Sequence, residues 1–132
     1  MEVRREVEFQ APPSDVWEAL TDPERLGEWF ANAVELDVRP GGEGSFRWDD
    51  GTVRHARVEA VEYERRLAFR WRDADADTPA TAVEITLAET AEGTRLTVVE
   101  TAPFGPTALA GEWSWGLELL ASLPRLRRLA HA

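Results

Sequence analysis

Val3-Arg4-Arg5-Glu6-Val7-Glu8-Phe9-Gln10-Ala11-Pro12-Pro13-Ser14-Asp15-Val16-Trp17-Glu18-Ala19-Leu20-Thr21-Asp22-Pro23 changes its hydrophobic period partway along. Val3, Val7 and Phe9 alternate with Arg4, Glu6 and Glu8, and only Arg5 breaks the pattern, falling on the apolar side. A period of two predicts a half-buried strand. Ala11-Pro12-Pro13 ends it, because proline cannot continue a ladder and suits the first turn of a helix. Ser14 and Asp15 fall in that turn, where negative charge favours the helix dipole. Val16, Trp17, Ala19 and Leu20 then give a short amphipathic helix. Asp22-Pro23 opens a second one, with aspartate as N-cap and proline at the first helical position. Leu26, Trp29 and Phe30 follow at the i, i+3, i+4 spacing of one bulky apolar face.

Downstream the period returns to two. Val34, Leu36 and Val38 alternate with Glu35, Asp37 and Arg39 before the turn at Pro40-Gly41-Gly42. Phe46 and Trp48 alternate with Ser45 and Arg47, and Asp50-Gly51 marks a hairpin. Val53 to Val61 makes a long fourth strand. Leu67, Phe69 and Trp71 lie on one side of a fifth; Val83, Ile85 and Leu87 define a sixth; Leu96 and Val98 define a seventh, ending near Thr101. After Pro103-Phe104-Gly105-Pro106 the pattern becomes helical, with Leu109, Trp113, Leu117 and Leu120 in one stripe and Trp115, Leu119, Leu123 and Leu126 beside it. Pro124 kinks or ends that helix.

The order is strand, two short helices, six strands, long helix. This predicts a single α+β domain over residues 1–132, with a strongly curved, seven-stranded antiparallel sheet wrapped around the long C-terminal helix. A length of 132 residues suits one domain with its own core.

Composition narrows the function. With no cysteine, disulfides, thiolate metal sites and cysteine nucleophiles are excluded, and a reducing, cytoplasmic location is expected. The formal net charge is -10, with 25 acidic and 15 basic residues, and the basic residues are all arginine. Such a surface disfavours nucleic-acid binding and electrostatic membrane docking. The opening residues lack the apolar run of a signal peptide, and no run approaches membrane-spanning length.

Phe9-Gln10-Ala11-Pro12, Val16-Trp17-Glu18-Ala19-Leu20-Thr21-Asp22-Pro23, Leu26 and Trp29-Phe30 resemble the opening signature of the Hsp90-ATPase-activator-like branch of the SRPBCC/START-like superfamily. Gly41-Gly42 before Phe46, Asp50-Gly51, Val58 with Arg66-Leu67-Ala68-Phe69-Arg70-Trp71, and Gly93-Thr94-Arg95-Leu96-Thr97 match its sheet. Trp113, Leu117 and Leu120 match its closing helix. The resemblance spans nearly the whole chain and implies a helix-grip (START/Bet v 1-like) fold with a void between sheet and final helix. It does not carry an activity across, because shared scaffold residues say little about chemistry.

Candidate residues follow. Trp17, Trp29, Trp48, Trp71, Trp113 and Trp115 are a heavy indole load, either filling the core or lining a cavity. The resemblance favours a cavity lined by Leu26, Trp29, Phe30, Phe46, Trp48, Phe69, Trp71, Trp113 and Leu117, with His55 among the ligand-binding residues, a largely apolar and aromatic surface of the kind that holds small molecules. His55 is a candidate acid or base. With a two-residue turn at Asp50-Gly51 it lies opposite Phe46 on the face of Trp48 and Val53, and with a bulge the pairing shifts by one. Arg5, Arg57, Arg70 and Glu100 are candidates for a charge inside the barrel, with Glu100 favoured because it continues the Leu96–Val98 face. Asp73-Ala74-Asp75-Ala76-Asp77 with Glu84 imitates a calcium loop, but Thr78 stands where glycine is needed and strands flank it, so no metal is expected. Gly41-Gly42-Glu43-Gly44 lacks the lysine and helix of a phosphate loop, and no serine has a nucleophile-elbow context.

Three functions fit these residues. Foremost is binding, sequestration or transport of a hydrophobic small molecule, without catalysis or cofactor. The second is a cyclase or dehydratase acting on an aromatic or polyketide substrate through His55 or Glu100. The third is an Hsp90-activator-like interaction module, ranked last because a chaperone-docking companion domain is missing from the sequence. Homodimerisation is left open, a sheet edge and the Trp115–Leu119 stripe both being available for it.

Overall fold

The computed structural model describes residues 2–74 and 79–102. Its elements run β1 (Glu2–Phe9), α1 (Pro13–Thr21), α2 (Pro23–Trp29), β2 (Ala33–Leu36), β3 (Glu43–Arg47), β4 (Val53–Glu62), β5 (Arg66–Asp73), β6 (Thr81–Thr90) and β7 (Gly93–Thr101). The seven strands form one antiparallel sheet in the order β1-β7-β6-β5-β4-β3-β2. Six of them are successive hairpin neighbours, and the first strand crosses over to pair with the last. The closing helix predicted after Pro106, and with it Trp113 and Leu117, lies outside the described residues.

Local chemistry explains the two helices. Pro12 is the N-cap of α1 and Pro13 takes its first position, where a missing N–H costs nothing. Val16, Trp17, Ala19 and Leu20 are buried and the intervening Glu18 is exposed. Asp22 ends α1 and caps α2, its carboxylate accepting the Glu24 N–H at 3.0 Å. Leu26 and Trp29 turn inward from α2.

Alternation along the strands gives the sheet one buried and one wet face. The buried, concave face carries Phe9, Phe46, Ala56, Val58, Leu67, Phe69, Trp71, Val83, Ile85, Leu87, Leu96 and Val98, and the residues of α1 and α2 join them in one core cluster. Each fully buried aliphatic side chain contributes roughly 1.5–3 kcal/mol. The end of β7's hairpin tucks under the β1–α1 connection: Thr94 Oγ1 donates to the Ala11 carbonyl at 2.7 Å. A Cβ on Gly93 would run into the Phe9 carbonyl oxygen, so only glycine fits there.

The β3–β4 hairpin decides which side chains enter the concave face. Its last ladder pair is Arg47↔Val53. Trp48 N–H donates to the Thr52 carbonyl at 2.9 Å, leaving Asp49, Asp50 and Gly51 as a three-residue loop. Gly51 has φ 93°, the left-handed residue that such a loop requires. The two-residue turn would have set Phe46 opposite His55. The structure instead pairs Phe46 with Arg54 and His55 with Ser45. That one-residue shift turns His55 out to the exposed face and puts Arg54 inside. Further along β4 a bulge between Val58 and Ala60 shifts the register against β5.

Candidate functional site

At one end of the concave face the lining is purely apolar. Leu20, Leu26, Trp29, Phe30, Leu36, Phe46, Leu67, Phe69 and Ile85 surround a cavity of about 20 Å³. That is room for about one water and no more. The Trp29 indole is fixed there by donating its Nε1–H to the Ala19 carbonyl at 2.8 Å. Trp48 is held likewise by the Phe30 carbonyl at 2.9 Å, tying the end of α2 to β3.

The aromatic rings continue from this end toward the middle of the sheet. Phe30 stacks on Trp71 with centroids 5.8 Å apart and planes 13° from parallel. Edge contacts join Phe30 to Trp48 at 5.5 Å, Phe46 to Trp71 at 5.6 Å and Phe69 to Trp71 at 5.3 Å. These separations match favourable aromatic pairs, each adding about 0.5–1.5 kcal/mol beyond its burial. Trp71, 1% exposed, is the hub.

Beyond Trp71 the lining turns polar. Glu100 on β7 is fully buried. Its Oε2 accepts the Trp71 Nε1–H at 2.8 Å and the Thr81 Oγ1–H at 2.5 Å. The Arg54 guanidinium lies over the Trp71 ring, 4.7 Å from its centroid, in cation–π geometry. Arg54 and Thr81 are each 9% exposed. One indole therefore carries a cation on its face and a carboxylate on its N–H, and with Thr81 the groups come from four neighbouring strands, β4 to β7. A carboxylate in this position can accept, hold or exchange a proton with whatever reaches it, and a guanidinium can hold an anionic or carbonyl oxygen.

The sequence-derived candidates distribute as follows. Leu26, Trp29, Phe30, Phe46 and Phe69 converge on the small apolar cavity, and Trp48 and Trp71 join them by ring contact. Glu100 points into the same face. Arg5 is half-buried on it, beside Val98 across the β1–β7 ladder. Arg57 and Arg70 face outward and are exposed, Arg70 pairing with Glu59 at 3.1 Å. His55 faces outward with them, away from the aromatic cluster. Arg54 and Thr81 were not singled out from the sequence. Thr81 was within reach, being two residues before Val83 on the Val83–Ile85–Leu87 face. Arg54 was reachable by counting back from Ala56 and Val58 instead of forward from the turn. Among the described residues no cluster of His, Asp or Glu is suited to a metal ion; residues 75–78 of the acidic loop lie outside them.

Comparison with known proteins places this architecture. Residues 10–116 match the family model of the activator of Hsp90 ATPase homolog 1-like proteins. The chain belongs to that family. Within its fold, the chain is similar to the crystal structure of protein MLL2253 from Mesorhizobium loti, with 26% identity and a TM-score of 0.83 over 99% of this chain and 97% of the other. It is similar at 32% identity and a TM-score of 0.76 to DynU16, a protein in the dynemicin biosynthetic locus, matching 99% of this chain but 47% of that one. CalU16 from Micromonospora echinospora matches at 26% identity and a TM-score of 0.72, over 98% of this chain and 80% of that one. No protein with a curated functional description matches. No helix among the described residues is long and apolar enough to cross a membrane.

Proposed function

We propose that this family member binds a hydrophobic small molecule against the concave face, its apolar body on the Phe30–Phe46–Trp71 rings and its polar end at Arg54 and Glu100. The observation that carries this reading is Glu100. A carboxylate with no exposed surface is costly to keep in a small domain, and an apolar residue of similar size would fill the same space more cheaply. Its position at the end of an aromatic surface is that of an orienting group in a ligand site. The likeness to DynU16, which comes from a biosynthetic locus, supports small-molecule handling.

The test is native mass spectrometry of freshly purified protein, followed by titration of tryptophan fluorescence with a panel of fatty acids and aromatic polyketides. Expected are a co-purifying small molecule and a saturable change in emission, both weakened in Trp71→Phe. A panel without saturable change, together with a bare protein mass, overturns the proposal.

Catalysis is the second reading, and the buried Glu100 favours it in one respect: a carboxylate among apolar rings is a natural acid or base. His55, on the outer face, does not share that position. Product formation from an aromatic polyketide substrate, lost in Glu100→Gln and unchanged in His55→Ala, is the signature of that reading.

A further inference from the structure

Two small residues lie side by side on the concave face. In one row across the sheet Leu36 stands opposite Gly44, Gly44 opposite Ala56, and Ala56 opposite Trp71. Gly44 and Ala56 are both buried, and together they floor a trough from the edge strand β2 to the hub of the aromatic cluster. Glycine inside a strand is destabilising relative to alanine, and it marks a place where something approaches closely. The backbone does not demand it here, since Gly44 has no positive φ. The neighbouring strand does. A Cβ on Gly44 would come within 2.8 Å of Leu36 Cδ1 and 3.2 Å of the Glu35 carbonyl oxygen. Glycine lets the Leu36 side chain lie down across β3.

Leu36 stands apart from the rest of the cavity wall. Of the nine residues around the cavity, seven are buried, and only Phe30 and Leu36 are half-buried. Phe30 is clamped by ring contacts with Trp29, Phe46, Trp48 and Trp71. Leu36 comes from a strand of four residues at the edge of the sheet, which among the described residues pairs only with β3. Its side chain is the part of the wall that can turn into water without parting an aromatic pair or a central ladder.

We infer, granting the small-molecule site proposed above, that Leu36 sets the size of the hydrocarbon group that the apolar end accepts. Seated on Gly44, Leu36 leaves about 20 Å³, too little for an organic group. Turned outward, it uncovers the trough that leads to Trp71. The space it vacates, added to what is already there, is on the order of 100 Å³, approaching the size at which an apolar cavity takes up benzene. The cavity is lined by apolar side chains throughout, so the matching guest is a compact hydrocarbon terminus such as a phenyl ring.

The experiment titrates the tryptophan emission of the intact chain with two matched series, straight-chain fatty acids and fatty acids ending in a phenyl ring. Leu36→Ala should tighten the phenyl-ended acids by at least about tenfold relative to the straight-chain ones. Leu36→Val, a milder truncation that suits a strand, should move the preference the same way and less, and it serves if the alanine variant fails to fold. Val34→Ala loosens the same edge strand on the same face without bordering the cavity, so it should rank the two series as the parent does. Benzene should raise the melting temperature of Leu36→Ala but not that of the parent or of Val34→Ala. An unchanged ranking in both Leu36 variants of a parent that binds overturns the inference alone, as does an equal shift in Val34→Ala. Absence of the benzene effect in a folded Leu36→Ala overturns it whatever the parent binds. A parent that binds neither series nor any compound of the earlier panel overturns the small-molecule reading and this inference together.

Discussion

The two ends of the concave face draw on the same three strands but bury different chemistry. β5 gives Leu67 to one end and Trp71 to the other; β6 gives Ile85 and Leu87, then Thr81; β7 gives Leu96, then Glu100. At the first end, under α1 and α2, side chains fill space until about 20 Å³ is left. At the second, burial is made tolerable by hydrogen bonds and a cation–π contact. Stability alone selects the first solution, which is non-directional and forgiving of substitution. The second is directional and fails when any member is lost. A small domain keeps such a cluster at some cost, and that is the argument for a ligand there.

Substitutions at the two ends separate these roles. Trp71→Ala removes the hub shared by both ends and should cost about 4 kcal/mol in chemical denaturation, the largest single effect on the face. Leu96→Ala, at the apolar end, should cost about 3 kcal/mol and leave ligand-induced fluorescence change intact; loss of that change would merge the two ends into one functional unit. Glu100→Gln keeps the shape but weakens a charge-assisted acceptor, and about 1.5 kcal/mol is expected, with ligand response altered far more than stability. Thr81→Val should cost about 1 kcal/mol, and an unchanged ligand response would restrict the polar end to Arg54, Trp71 and Glu100.

The smallest effect belongs to the turn that sets the register. Asp50 accepts the Thr52 backbone N–H at 2.8 Å, and that bond holds its carboxyl below the ordinary carboxylate value. A depressed folded-state value means that the stabilisation is complete above about pH 4. It is lost as the pH falls through the lower folded value. Asp50→Asn should therefore lower the melting temperature slightly at pH 7, where the carboxylate's contribution is complete, and converge with the parent below pH 4, flattening the acid limb. An unchanged acid limb would remove Asp50 from the turn's energetics.

These results show where the sequence speaks clearly. Alternation exposed all seven strands, because one face of an antiparallel sheet meets water and the other does not. Proline and the Asp22 cap marked both helices for reasons local to the chain. Asp50-Gly51 located the hairpin without fixing its length, since a two-residue turn and a three-residue loop both want glycine with φ > 0 there. One residue of difference exchanged His55 for Arg54 on the concave face. Glu100 was legible as a continuation of Leu96 and Val98. Its partners were not, because Trp71 and Thr81 reach it from strands that are distant in sequence, and hydrogen bonds across a sheet leave no trace in a local pattern.

The pairing of β1 with β7 bears on how the protein is made. Glu2–Phe9 is synthesised before the other six strands, yet its ladder runs along Thr94–Thr101, so it waits through the synthesis of all six before that edge is covered. Contacts of such long sequence separation slow folding. An unpaired strand invites pairing with the wrong chain meanwhile. The alternating Glu2, Arg4, Glu6 and Glu8 keep the waiting segment charged on one side, and the final ladder joins those charges to Arg95 through Glu6 and Glu8. The same residues that guard the nascent strand thus become its clasp once the sheet is complete.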